Sequence, residues 1–124
     1  LDCRNTLVTG YADDEVMGEA RREEVNFGYI FSDCILRTPE DNSNTASETF
    51  VNVMWEKSDM EVQGADNFLR VDADLQYYDF HLTPNSPAIG RASVIPEVPY
   101  DRDNNERGER PDVGCYQFRQ SETP

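Results

Sequence analysis

Three oxygen-bearing side chains at alternate positions, Asp101, Asp103 and Asn105, are the most direct sign of chemistry in this chain. A D-x-D-x-N run opens loops that gather calcium, a hard cation held by carboxylate and carbonyl oxygens. Two residues depart from the complete loop pattern. Glu106 occupies the position reserved for glycine, and Asp112 stands where a bidentate glutamate would close the shell. The same acids, with Asp112, could instead pair with Arg102, Arg107 and Arg110 and order an exposed loop without an ion. Calcium is the one cofactor these residues suggest.

His81 is the only histidine and Lys57 the only lysine. A Ser-His-Asp hydrolase would hinge on His81 alone, and no G-x-S-x-G nucleophile turn is present. Eliminative cleavage of a uronate polymer needs a base for the proton beside the carboxylate and a cation to neutralise that carboxylate. Arg70, Arg91 and the Arg21-Arg22 pair could supply charge, but acids surround all of them. The chain by itself therefore reads as non-enzymatic. Sugar binding makes smaller demands, because an amphipathic aromatic ring beside polar groups suffices. Tyr77, with Arg70 and His81, forms the candidate substrate-contacting set, and Tyr78 is expected to point inward. Cys3, Cys34 and Cys115 form no C-x-x-C pair, so zinc-ribbon and redox chemistry are not encoded. Three buried thiols serving as small apolar side chains are expected, with one pair plus a leftover as the alternative.

The elements that must position these groups follow period two rather than 3.6. Phe27, Tyr29 and Phe31 alternate with Asn26, Gly28, Ile30 and Ser32, and the phase flips after Asp33, where Cys34 and Leu36 resume it. Such a flip predicts a bend or bulge between two short strands. Over 49–55, Val51, Val53 and Trp55 are assigned one face and Phe50, Asn52 and Met54 the other, as in a strand covered on both sides. Over 76–82, Tyr78, Phe80 and Leu82 are placed inward and Tyr77, Asp79 and His81 outward. Pro84 and Pro87 block a ladder over 83–90, with Ala88 and Ile89 packed inward, and 113–118 reads as a short final strand. The stretches 11–24 and 39–47 read as polar connectors, the first with room for a helical turn. A weak repeat links Asn5-Thr6-Leu7-Val8-Thr9-Gly10 to Asp33-Cys34-Ile35-Leu36-Arg37-Thr38, 28 positions later. That spacing suits the coils of a solenoid, in which like residues sit above like.

Charge narrows the partners. With 25 Asp+Glu against 11 Lys+Arg, the net charge is −14, and nucleic acid would be repelled for want of a basic footprint. An anionic membrane surface is disfavoured for the same reason, and no run of about 18 apolar residues exists to insert into a bilayer. No basic-then-apolar leader is visible in the sequence. The length suits one domain with a modest core.

Two blocks near the C-terminal end carry a resemblance. Asp79-Phe80-His81-Leu82-Thr83-Pro84-Asn85-Ser86-Pro87-Ala88-Ile89-Gly90 is followed by Asp101-Arg102-Asp103 and then by Arg110-Pro111-Asp112-Val113-Gly114-Cys115-Tyr116. This arrangement resembles the C-terminal end of choice-of-anchor Q proteins, right-handed parallel β-helices distantly similar to polysaccharide lyases. Where that family often carries D-x-D-G, Asp103 is followed by Asn104, and Gly108 comes later. The family's proteins are several times longer than this chain.

The resemblance implies an all-β, loop-rich segment. Residues 1–82 would form terminal coils, 83–118 a capping region and 119–124 a tail, all within one domain. It further implies an extracytoplasmic protein, secreted or at the cell surface, that meets or processes polysaccharide. The segment itself would be non-catalytic, stacking on preceding coils of the same protein. Two alternatives stay open: a calcium-stabilised adhesion or glycan-binding module acting alone, and part of a polysaccharide lyase.

Overall fold

The computed structural model describes residues 1–16, 29–40 and 49–119. Among them lie eight strands and one 3-10 turn, so the chain is all-β and loop-rich. The strands are β1 (Asp2–Arg4), β2 (Leu7–Val8), β3 (Ile30–Ser32), β4 (Ile35–Leu36), β5 (Phe50–Val51), β6 (Met54–Trp55), β7 (Phe68–Asp72) and β8 (Tyr77–Leu82), and the turn spans Gly64–Asn67. β1, β3 and β5 form one parallel sheet, β2, β4 and β6 a second, and β7 and β8 an antiparallel pair. The sheets are small and do not close on themselves.

The parallel sheets are built from three equivalent rungs, each a short strand, a bend and a second short strand. Cys3 lies beside Phe31 and Leu7 beside Ile35, the 28-residue spacing of the sequence repeat. Phe31 then lies beside Phe50 and Ile35 beside Met54. Each bend is made by an Asx residue in the left-handed region: Asn5 at φ 51°, Asp33 at 55° and Asn52 at 53°. That region costs most L-residues about 1–2 kcal/mol, and Asn and Asp tolerate it best after glycine. The ladder runs through the bends, since Asn5 N donates to Ser32 O at 3.1 Å and Asp33 N to Val51 O at 2.9 Å.

The sheet of β2, β4 and β6 is the middle layer. Alternate side chains leave a strand on opposite faces. On one face Ile35, with Leu7 and Met54, packs against Leu82, Ala88, Val113 and Phe68. On the other, Leu36, with Val8 and Trp55, joins Phe31, Cys34 and Phe50. Phe31 and Phe50 stack one above the other, with ring centres 5.8 Å apart and planes 7° apart.

Several expectations need correction. The predicted single strand over 49–55 is two strands around Asn52, so Phe50, Val53 and Trp55 share the apolar cluster while Met54 faces the other way. Val51 is 43% exposed rather than in phase with Trp55. Tyr78 and Phe80 are 50% and 45% exposed, so only Leu82 of that predicted inward face is buried. Residues 113–118 form no strand. Side-chain carboxylates take up two of their amides instead: Gln117 N donates to Asp101 Oδ2 at 2.7 Å and Phe118 N to Asp112 Oδ2 at 2.6 Å. Of the three thiols only Cys34 is buried; Cys3 is half-buried and Cys115 exposed. Burial in an apolar setting pushes the Cys34 thiol up to about 11, which suits a packing role. The bend at Asp33 and the inward packing of Ala88 and Ile89 are as expected. The possible helical turn lies largely outside the described residues, as do most of 39–47 and the tail.

The C-terminal region lies against the first rung. Gly114 N donates to Asn5 O at 2.9 Å, and the Asn5 side chain donates to Ser93 O at 2.8 Å while accepting from Ser93 N at 3.2 Å. A second anchor is a buried ion pair. Glu56 Oε1 accepts from Arg37 Nη1 at 2.9 Å, from Gly64 N at 2.9 Å and from the Thr9 hydroxyl, and Oε2 accepts from Asn67 Nδ2 at 3.2 Å. Gly64 is required there: its φ is 56°, and a Cβ would sit 3.2 Å from Gly10 O.

Candidate functional site

β7 and β8 pair so that Arg70 lies opposite Asp79 and Asp72 opposite Tyr77. This register sets the Arg70 guanidinium 4.4 Å over the Tyr77 ring, and Arg70 Nη2 lies 3.3 Å from Asp72 Oδ2. Two of the candidate sugar-contacting residues, Tyr77 and Arg70, thus lie together, with Tyr77 52% exposed and covered by the guanidinium. A cation over a tyrosine face is attracted by about 0.5–1 kcal/mol at an exposed site.

His81 belongs to a different constellation. Its Nδ1 lies 2.5 Å from Asp79 Oδ1, and its Nε2 lies 2.5 Å from Asp103 Oδ2. The imidazole stacks on Tyr116, ring centres 3.7 Å apart and planes 18° apart. A neutral imidazole carries one N–H, so it can donate to one carboxylate only. Two carboxylates at these distances call for the imidazolium, which donates from both nitrogens. The hydrogen bond to Asp103 raises the His81 pKa above its ordinary value; burial opposes this and the bond to Asp79 adds to it. The same contact with His81 holds the Asp79 carboxyl below its usual range. Both ring nitrogens of His81 are thus engaged by carboxylates.

The predicted calcium ligands share one turn but serve different partners. Asp101 Oδ1 accepts from Asn105 N at 2.8 Å and Oδ2 from Gln117 N at 2.7 Å. Burial raises the Asp101 pKa, but the amides of Gln117, Asn105 and Asp103 outweigh it and hold the carboxyl below the usual range. Asp103 is turned to His81. Asn104, at φ 64°, closes the turn, its N donating to Asp101 O at 3.0 Å. Among the described residues no three His, Cys, Asp or Glu side chains converge as a metal cluster would require. Arg107 donates to the backbone oxygens of Asp112 and Gly114, both at 3.1 Å, and its charge adds to the lowering of the Asp101 carboxyl.

A cleft of about 670 Å³ joins these groups, lined by Leu69, His81, Asp103, Asn105, Phe118 and Arg119. The structure thus gathers His81, Asp103 and Asn105 at one cleft and sets Tyr77 with Arg70 farther along the same hairpin. Sequence reasoning placed Asp79 only beside Tyr77 as a polar neighbour for a sugar, not against His81, and gave Tyr116 no role. Asp79 had a signal, since residues two apart on a strand share a face; Tyr116 had none. No protein-family model, curated protein or solved structure matches this chain. Among the described residues no helix is long and apolar enough to cross a membrane.

Proposed function

We propose that this chain is a non-catalytic end segment of a right-handed parallel β-helix protein, stacking coils and covering their end in a secreted or surface protein that meets polysaccharide. The observation that supports it is the rung ladder. Three strand–bend–strand units stack in parallel with Asn5, Asp33 and Asn52 at equivalent left-handed bends. In a parallel ladder alternate residues face opposite neighbours. With Cys3 and Val8 facing β3 and β4, the backbone groups of Asp2, Arg4 and Leu7 face the other way. Beside that edge runs a groove of about 710 Å³ lined by Leu7, Val94, Ile95, Pro96 and Val98, among others. A preceding coil would occupy this edge and satisfy those groups, apart from the Arg4 carbonyl, which already accepts from the Thr6 hydroxyl at 2.7 Å.

The test is hydrogen exchange at Arg4 and Leu7, measured in residues 1–124 alone and in the native polypeptide. Protection gained only in the native polypeptide supports an end segment. Equal exchange in both overturns it.

A glycan-binding module acting alone is favoured by one observation, the half-exposed Tyr77 with Arg70 over its ring. Binding of a neutral polysaccharide by the isolated chain, abolished in Tyr77→Ala, would establish that module. Retention of all glycan contact by Tyr77→Ala would remove it.

A further inference from the structure

We propose that Cys3 and Cys34 are a disulfide pair, a staple that an oxidant closes between the first rung and the second, with Cys115 left outside it. Both are free thiols in this structure. Cys3 lies on β1 before the bend at Asn5, and Cys34 stands directly after the bend at Asp33. Cys3 is paired with Phe31 of the neighbouring strand, so the two cysteines meet diagonally across one step of the ladder. They share one apolar cluster, in which Cys3 packs against the group formed by Phe31, Cys34 and Leu36. The Cys34 sulfur lies 3.4 Å from the backbone oxygen of Cys3. Burial is the main cause that raises the Cys34 pKa, and a hydrogen bond with the Cys3 thiol adds to it.

Exposure separates the three sulfurs. Cys34 is fully buried, Cys3 half-buried and Cys115 exposed. Cys115 packs into neither apolar cluster, so it does not share the interior with Cys34. A small disulfide such as oxidised glutathione therefore reaches Cys3 and not Cys34. The Cys3 thiolate attacks one glutathione sulfur, forming a mixed disulfide and expelling a glutathione thiolate, which takes up a proton. The Cys34 thiol then gives its proton to solvent and attacks the Cys3 sulfur. The bond to glutathione breaks, and the second glutathione leaves as a thiolate and is protonated. Two protein thiols are thus oxidised by two electrons, and one glutathione disulfide is reduced to two thiols. A Cys34 thiol held up at about 11 supplies little thiolate at neutral pH, so closure is the slower step. The closed loop spans residues 3–34, and constraining the unfolded chain over such a loop stabilises the native state. The staple fastens the edge strand β1 to the rung behind it, whatever the chain binds.

The test equilibrates the 124-residue chain with oxidised and reduced glutathione, then unfolds it in excess N-ethylmaleimide. Digestion without reduction and mass spectrometry should give one cross-linked pair, Cys3 with Cys34, two hydrogen atoms lighter than the separate thiol peptides. Cys115 should carry maleimide or glutathione. The oxidised chain should melt roughly 5–15 °C above the reduced one, and in Cys3→Ala the two conditions should melt together. Recovery of Cys34 as its maleimide adduct, with Cys3 free or bound to glutathione, overturns the pair. So does a cross-link through Cys115. An oxidised wild type that melts no higher than the reduced one overturns the staple. The peptide map needs only the wild type, so it decides the pairing even where the variant does not fold.

Discussion

The side-chain amide of Asn52 donates to Asp33 Oδ1 at 2.7 Å, tying together equivalent left-handed bends in two successive rungs. The bond makes the bends a column in their own right, alongside the two sheets they join. Replacement of Asn52 by alanine places a Cβ-bearing residue without a local polar group in the left-handed region, which costs about 1–2 kcal/mol. Asn52→Gly loses the same hydrogen bond but adopts the backbone freely. Urea denaturation should therefore rank wild type above Asn52→Gly and Asn52→Ala lowest; alanine at or above glycine would mean that the bend conformation carries no cost.

Glu56 and Arg37 present a larger energy. Both are buried, and Glu56 alone serves Arg37, Gly64, Asn67 and Thr9. Removing one partner of a buried pair typically costs about 3–5 kcal/mol, because the other charge is stranded. That is a large part of the roughly 5–15 kcal/mol that holds a domain folded. Glu56→Ala should lower the urea midpoint far more than any surface change, and a loss below about 1 kcal/mol would show that water reaches the site and takes over the hydrogen bonds.

Stability should fall at both ends of the pH scale. Asp79 and Asp101 have folded-state values below their ordinary carboxylate values. Their contribution is present above about pH 4 and is lost as pH falls through the depressed folded values. His81 is raised, so its contribution is full below about pH 6.5 and is lost as pH rises through the higher folded value. Thermal melts should give a plateau between these limits, and His81→Gln should remove the alkaline decline while keeping the acid one. A wild-type profile that rises through the alkaline limb would contradict the imidazolium assignment.

A calcium ion at this turn would have to displace His81 from Asp103. At a pH where the imidazolium is intact, Asp103 is engaged and both Asp101 oxygens hold backbone amides. Millimolar calcium should leave the melting temperature unchanged there. A rise that Asp103→Ala abolishes would mean that the turn rearranges into an ion-binding loop.

The contrast between Ile35 and Tyr78 tests the corrected packing. Ile35 is fully buried between two layers, so Ile35→Ala should cost about 2–5 kcal/mol. Tyr78 lies half in solvent, stacked on Phe80. Its replacement by alanine should cost under about 1 kcal/mol, and a cost equal to that at Ile35 would restore it to the core.

The legible part of the fold was the part with repeated apolar pairs. Leu7-Val8 and Ile35-Leu36 share a spacing that passed directly into the register. The third rung was hidden because Phe50 to Trp55 is apolar on both alternations, so the bend at Asn52 left no break in the pattern. The final strand was misread because Val113 to Phe118 alternates acceptably, while its amides go to separate partners, Val113 to Ala88 O, Gly114 to Asn5 O, Gln117 to Asp101 and Phe118 to Asp112, which the local sequence cannot show. For the site, Asp79 and His81 are two apart and visible as neighbours. Asp103 and Tyr116 meet His81 only through the fold of the C-terminal loops.

The three rungs are joined by connections of unequal length. From Val8 to Ile30 the chain spends far more residues than from Leu36 to Phe50, yet both crossings deliver the same parallel register. Closing a longer excursion costs little, since the entropy grows only with the logarithm of its length. Doubling the length of either crossing should therefore cost the ladder only about 0.6 kcal/mol, so the rungs set the register and the crossings are free to vary in length.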